Sequence, residues 1–303
     1  MPLKVQSDLP AKAVVEKENI FIMDETRALS QDIRPLEIGL VNLMPIKNDT
    51  EIQMLRSLSN TPLQLNMTFI TVSHHISKNT PLAHLNQFYE KFENVKNRRF
   101  DGIIITGAPL ELMEFEEVSY WDEMNEIMDW TQTNSTSTIF LCWAAQAALY
   151  HFYGLKKRML PQKMSGVFEH KAHHKKTPLI RGFDDIFWAP HSRNTEVSLK
   201  DIAKCKDITV LADSKEAGFF LGITKCGKNI FIMGHPEYDR LTLDAEYKRD
   251  KLKGIDPVMP KHYYPNDDME NKPTLKWRAH ANTLYTNWIN YYVYQVTPYD
   301  LTK

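Results

Sequence analysis

The sequence predicts an α/β protein with a mostly parallel central sheet flanked by helices, and three observations carry that expectation. Short aliphatic runs alternate with segments of helical period from Leu36 to Tyr153. The aliphatic runs are continuous, as expected for strands covered on both faces. Gly107, Cys142 and His235 each stand just after such a run, where a parallel sheet gathers its ligands at the carboxyl ends of the strands.

Taken in order, residues 1–35 mix charges with short apolar stretches and have little periodicity, so they read as an N-terminal arm. Leu36–Leu43 is a strand. Asp49–Leu58 follows with apolar residues at 52, 55 and 58, a helical spacing. Met67–Val72 is a second strand, Leu82–Val95 a second helix and Phe100–Gly107 a third strand. A helix from about Tyr120 to Gln132 leads into the strand Thr138–Cys142 and then, with no loop, a helix to about Tyr153. Beyond it, Ile208–Leu211, Gly218–Ile223 and Asn229–Met233 are shorter strands, partly antiparallel, with Cys226-Gly227-Lys228 as a turn. Asp239–Lys253 is a charged helix, Pro257–Pro273 a proline-rich loop, and Leu275–Val296 a long aromatic helix packed on the body. With no repeat, low-complexity segment or clear linker, residues 36–303 read as a single α/β domain.

Composition narrows the function. The 37 lysines and arginines nearly balance 38 aspartates and glutamates, so no polyanion partner such as nucleic acid is expected. No apolar run is long enough to span a bilayer, and the first residues lack a signal-peptide core, so no membrane role is expected. The three cysteines, Cys142, Cys205 and Cys226, form no CxxC pair and are odd in number, which excludes a full disulfide framework and fits a reducing cytoplasm.

Cys142 is the candidate nucleophile. A thiol at a strand-to-helix junction faces free N–H groups and the positive end of the helix dipole, which favour thiolate and can stabilise an oxyanion. His235-Pro236-Glu237 follows another strand and places an imidazole and a carboxylate two residues apart, on one side of an extended chain. Glu237 can then hold the imidazole of His235 as its orienting acid. Cys205 and Cys226 have no such setting. The histidines of Glu169–His174 lie among lysines without a nearby acid or cysteine set, so no metal site is expected. Lys47 reads as a solvated loop lysine.

The motifs FLCWAAQ, GHPEYD, TGAPLE and GFDDIFWAPHSR, together with the terminal NYYVYQVTPYDL, resemble the homoserine O-acyltransferases of methionine biosynthesis, the cysteine-triad type. The resemblance runs from about Leu36 to the end of the chain and implies a class I glutamine amidotransferase-like fold. The chain departs from the amidotransferases themselves, whose nucleophile is flanked by glycines; here Leu141 and Trp143 flank Cys142, which disfavours glutamine hydrolysis and favours acyl transfer.

The resemblance implies a ping-pong reaction in which Cys142 takes an acyl group from acyl-coenzyme A and His235, held by Glu237, then activates the homoserine hydroxyl. It implies no permanently bound cofactor, with acetyl-CoA as cosubstrate. It makes Lys163, Ser192 and Arg249 substrate contacts, with Glu246 as partner of the substrate ammonium. By analogy, the oxyanion donors are the N–H of Trp143 and one from the Leu43-Met44 turn. It also makes Glu111 the residue that separates donors, because a carboxylate there opposes the free carboxylate of a succinyl group. Two unit charges about 4 Å apart at an effective dielectric near 20 interact by roughly 4 kcal/mol, about a thousandfold in selectivity. The expected reaction is therefore acetyl transfer from acetyl-CoA to L-homoserine. Homoserine O-succinyltransferase, a glutaminase-like thiol hydrolase and a non-catalytic protein of the same fold remain as alternatives. The aromatic C-terminal helix is a candidate homodimer interface.

Overall fold

The parallel strands of the centre of the molecule set the positions of all the chemistry at its edge. The structure is a computed structural model and describes residues 3–6, 8–18, 34–73 and 79–297. Residues 19–33 of the expected arm and Pro298–Leu301 of the terminal motif lie outside the described residues. In chain order the strands are β1 (Leu3–Lys4), β2 (Leu36–Val41), β3 (Leu65–Thr71), β4 (Tyr89–Lys91), β5 (Phe100–Ile105), β6 (Ser135–Leu141), β7 (Lys157–Ala172), β8 (Ile186–Val197), β9 (Ile208–Ser214), β10 (Gly218–Thr224) and β11 (Asn229–Ile232). They form one sheet in the order β1-β3-β2-β5-β6-β11-β10-β9-β7-β8, with β4 paired to β3. From β1 to β11 all pairings are parallel, and from β11 outward to β8 they are antiparallel.

The helices are α1 (Pro10–Glu16), α2 (Lys47–Leu58), α3 (Leu82–Phe88), α4 (Phe92–Val95), α5 (Trp121–Asn134), α6 (Trp143–Tyr153), α7 (Leu199–Lys204), α8 (Thr242–Leu252) and α9 (Arg278–Asn287), which continues as a π-helical turn, Trp288–Tyr294. Alternate residues of the central strands enter two apolar clusters, one on each face. Ile139, Leu141, Ile230 and Ile232 pack with Met54, Leu55 and Trp288, whereas Phe140 and Phe231 pack with Trp143, Ala147 and Met128. Burial on both faces is why these strands read as unbroken apolar runs.

Several elements differ from the sequence expectation. Described residues of the arm pack on the body: β1 adds to β3, and Leu9, Ala11 and Val15 bury an apolar face of α1 in the main core. Pro10 at the first helical position starts that helix. The helix expected over 82–95 is cut by β4, where Tyr89 turns extended and its hydroxyl donates to buried Glu51. The expected C-terminal helix starts at Arg278 and ends in the π turn; its inner residues Leu284, Tyr285, Trp288, Ile289 and Val293 are buried against the chain's own core. The long hairpin β7–β8 had no clear sequence signal.

Candidate active site

Register brings the candidate catalytic residues together. β6 and β11 are parallel neighbours with Leu141 opposite Ile232, so the N–H of Cys142 donates to the Ile232 carbonyl at 2.7 Å. His235 follows three residues beyond Ile232 at the same edge of the sheet. β5 lies on the other side of β6, with Ile105 opposite Phe140, and delivers Gly107 beside the cysteine.

Cys142 caps α6 with φ 47° and ψ −110°, a strained conformation for an L-residue that turns the thiol out of the strand-to-helix junction. The sequence has no glycine next to Cys142 to ease this turn. The space comes from across the sheet: a Cβ on Gly107 would lie 3.2 Å from the Cys142 Cβ and 3.6 Å from the Trp143 nitrogen. As the first residue of α6, Trp143 has an N–H without an intrahelical acceptor, so it stays a candidate oxyanion donor.

His235 is buried, and its Nδ1 lies 2.7 Å from Oε1 of Glu237. Its backbone N–H donates to the Pro190 carbonyl, a close approach that Gly234 permits because a Cβ there would lie 2.7 Å from the same oxygen. The ring stacks on Tyr238 with centroids 4.2 Å apart. Burial disfavours an imidazolium, but the facing Cys142 sulfur, within hydrogen-bonding reach, and the Glu237 carboxylate outweigh it. They hold the His235 imidazole well above the ordinary histidine range.

Cys142 and His235 share a cavity of about 180 Å³ with Glu111, Lys163, Ser192, Glu246 and Arg249, all expected from the sequence. Glu111 is buried rather than pointing to solvent. Its Oε1 accepts from the Cys142 thiol at 3.9 Å, and its Oε2 accepts from the backbone N–H and the side-chain amide of Asn194 at 2.7 and 2.9 Å. Ser192 and Tyr238 hydroxyls both donate to Glu246, each on a different oxygen. Arg249 turns to Asp250 rather than to Glu246, and Lys163 donates to the other oxygen of Asp250 at 2.8 Å. Both cations hold the Asp250 carboxyl below its usual range against the opposing effect of burial. Asp250, Asn194 and Tyr238 are the site residues that sequence reasoning missed. Tyr238 lay within the GHPEYD motif, whereas Asp250 was one acid among many on a charged helix.

The Leu43 assignment needs correction. Its N–H donates to the Thr106 hydroxyl at 2.8 Å and that of Met44 to the Asn42 side chain at 3.1 Å, so neither donor of this turn is free for an oxyanion. Lys47 is not a solvated loop lysine. It is buried in the first turn of α2 and donates to the Asn42 carbonyl, and burial lowers it to about 8 despite the opposing Glu51 charge. In the Glu169–His174 run, His170 pairs with His191 and His173 with Asp213. Among the described residues no group of three or more histidines, cysteines or acids could hold a metal ion. Among them, too, no helix is long and apolar enough to cross a membrane.

The parallel sheet with its antiparallel extension, which carries Cys142, His235 and Glu237 at its carboxyl edge, is an α/β fold of the class I glutamine amidotransferase-like kind. Solved structures agree on the fold. A glutamine amidotransferase from Thermotoga maritima is similar at TM-score 0.56 and 11% identity, over 85% of this chain and 98% of that one. Another from Methylobacillus flagellatus is similar at TM-score 0.54 and 11% identity, over 86% and 95%. The chain belongs to the homoserine O-succinyltransferase family, whose family model matches residues 2–299. It is 63% identical to a homoserine O-acetyltransferase of Lachnoclostridium phytofermentans over 99% of this chain and 100% of that protein. It is 61% identical to one of Lachnospira eligens over 100% and 98%. It is also 52% identical to a homoserine O-succinyltransferase of Shewanella loihica over 99% and 94%.

Proposed function

We propose that this chain transfers an acetyl group from acetyl-CoA to the hydroxyl of L-homoserine, giving O-acetyl-L-homoserine and CoA, a step of methionine biosynthesis. The observation that carries the proposal is the convergence of Cys142, His235 and Glu237 at one sheet edge, in a cavity that also holds a carboxylate, Glu111, against the sulfur.

In the first half-reaction the Cys142 thiolate attacks the thioester carbonyl. The C–S bond to CoA breaks, the acetyl group passes to Cys142, and the departing thiolate takes the His235 proton. One thioester replaces another, so the step is nearly isoenergetic. In the second half, His235 takes the proton of the homoserine hydroxyl, whose oxygen attacks the acetyl-cysteine, and the Cys142 thiolate leaves. Glu237 keeps Nε2 of His235 directed at the reacting atoms. The Trp143 N–H stabilises the oxyanion of both tetrahedral intermediates. Arg249 and Lys163, steadied by Asp250, receive the homoserine carboxylate, and Glu246 with Ser192 receives its ammonium group.

Glu111 favours acetyl over succinyl, because the free carboxylate of a succinyl group would meet it in the same space. Succinyl-CoA remains the second reading, favoured by the 52% identity to the Shewanella loihica succinyltransferase. A thiol hydrolase is the more distant one, and homoserine distinguishes it: the transferase releases CoA much faster with homoserine than with water alone. The cytoplasm is the proposed compartment, with Cys142, Cys205 and Cys226 all free thiols. A homodimer through the C-terminal helix would use its outer side, where Tyr294 is exposed.

Intact mass spectrometry after incubation with acetyl-CoA tests the proposal. A gain of one acetyl group, absent in Cys142→Ala and discharged by homoserine, is the expected result. Equal acylation by acetyl-CoA and succinyl-CoA would reject the donor assignment.

A further inference from the structure

We infer that Asn194 and Lys157 are positioning residues for donor selection: they hold the Glu111 carboxylate beside Cys142, and without them its charge no longer excludes a second carboxylate. The inference rests on the reading of Glu111 above.

The segment around Glu111 is a loop, and a loop glutamate needs external partners to stay at one place. Both strands of the β7–β8 hairpin supply them. Lys157, at the start of β7, donates to the backbone carbonyls of Glu111 and Met113, with 2.7 Å to the first, and its ammonium lies 4.8 Å from the Phe115 ring centroid. It grips the backbone, not the carboxylate, so it fixes the loop without pairing the charge that the selection needs.

Asn194 on β8 binds the carboxylate itself, and the hairpin is shaped to let it. Thr195 pairs with Met159 and Arg193 with Met164, so residues 160–163 bulge out opposite Asn194 alone. The bulge releases the Asn194 N–H from the ladder, and that N–H goes to Glu111. The same bulge carries Lys163 to the cavity.

Asn194 is fixed in turn from beneath. Its neighbours on the buried face are Arg193, which donates to His191 and to the Ala217 carbonyl, and Thr195, whose hydroxyl donates to Gln146. Gln146 lies one turn along α6 and its N–H donates to the Cys142 carbonyl. A closed ring of contacts thus runs from Cys142 through Gln146, Thr195, Asn194 and Glu111 back to the Cys142 sulfur.

The test is the ratio of kcat/KM for acetyl-CoA to that for succinyl-CoA in Asn194→Ala, Lys157→Met and Glu111→Gly, and in each of the first two combined with Glu111→Gly. Loss of a charge-assisted hydrogen bond, to the carboxylate in Asn194→Ala and from the ammonium in Lys157→Met, predicts that each of these two variants lowers the ratio about tenfold. In the Glu111→Gly background neither is expected to change it further, because there is no carboxylate left to place. Lys157→Arg is expected to restore the ratio that Lys157→Met loses. Asn194→Leu, nearly the same shape, uncharged and without a side-chain donor, is expected to lower it as Asn194→Ala does, and because the ratio does not depend on the fraction of protein folded, the loss reports positioning. Two results would overturn the inference alone: a ratio moved by Glu111→Gly but by neither Asn194 nor Lys157, or equal losses with and without Glu111. A ratio unmoved by Glu111→Gly would remove the donor reading itself, and this inference with it.

Discussion

Leu141 of β6 and Ile232 of β11 are register partners on adjacent parallel strands, and that pairing decides how close the Cys142 sulfur comes to the His235 ring. The two residues are distant in sequence, yet each sits a fixed few residues beyond one end of the same rung. The geometry is thus held by backbone hydrogen bonds of the buried sheet and does not depend on mobile loops.

Removing the Glu237 charge has a predictable sign. The carboxylate stabilises the imidazolium of His235, whose proton affinity is well above the ordinary histidine range with the Cys142 sulfur and Glu237 as causes opposing burial. In the acetylated enzyme the sulfur carries no charge, so Glu237 is the remaining cause. Glu237→Gln is expected to shift the acidic limb of homoserine-dependent deacetylation to lower pH and to reduce its maximal rate about a hundredfold or more. Single-turnover rates on pre-acetylated protein between pH 5 and 9 would show this. An unmoved limb would mean that another group titrates.

The buried histidine pair predicts acid sensitivity. His170 Nδ1 faces the Phe168 carbonyl and must donate, so its Nε2 accepts from His191 Nε2–H, and His191 Nδ1 accepts from Arg193. Neither ring has room for a second proton. Burial lowers His170 to about 3, with the Phe168 carbonyl opposing and the Arg193 charge adding to it. A lowered histidine binds fewer protons folded than unfolded, so its stability contribution is complete above the unfolded value near 6.5. It is lost as pH falls from there toward about 3, at about 1.4 kcal/mol per pH unit at most. Urea melts from pH 7 to 4 are expected to show a flatter decline for His170→Gln than for the unmodified chain.

Gly107 is expected to be intolerant. A methyl group there would press on the Cys142 Cβ at 3.2 Å and cover the Trp143 nitrogen. Gly107→Ala is predicted to slow acetylation of Cys142 at least tenfold with a small change in melting temperature, since one oxyanion donor is worth about 2.7–4 kcal/mol in known cases. Burst kinetics with acetyl-CoA and a thermal melt on the same sample check both halves.

Asp250 separates binding from chemistry. It touches Lys163 and Arg249 but lies outside the reacting trio. Asp250→Asn is expected to raise the KM for homoserine about tenfold, the cost of loosening two charge-assisted contacts, with the KM for acetyl-CoA little changed. A matched rise in both would place Asp250 in a general structural role.

The parallel half of the fold was legible because its strands are buried on both sides and therefore written in aliphatic runs. Cys142 and His235 were legible because they end such runs. The hairpin β7–β8 was not, and the reason lies in its residues. His191, Arg193 and Thr195 are polar yet buried, and each is satisfied by another polar group whose position no linear pattern reveals. The Leu43 turn failed similarly: its N–H groups are consumed by Thr106 and Asn42, acceptors that only the folded chain brings near.

The alternation along β8 has an evolutionary consequence. Ser192 and Asn194 face the ligand side, whereas His191, Arg193 and Thr195 face inward, so losing or gaining one residue there would exchange the two sets and bring a guanidinium to the substrate. Descendants of this chain can alter what they accept by exchanging side chains along the strand, but a single-codon deletion within it would abolish the pocket.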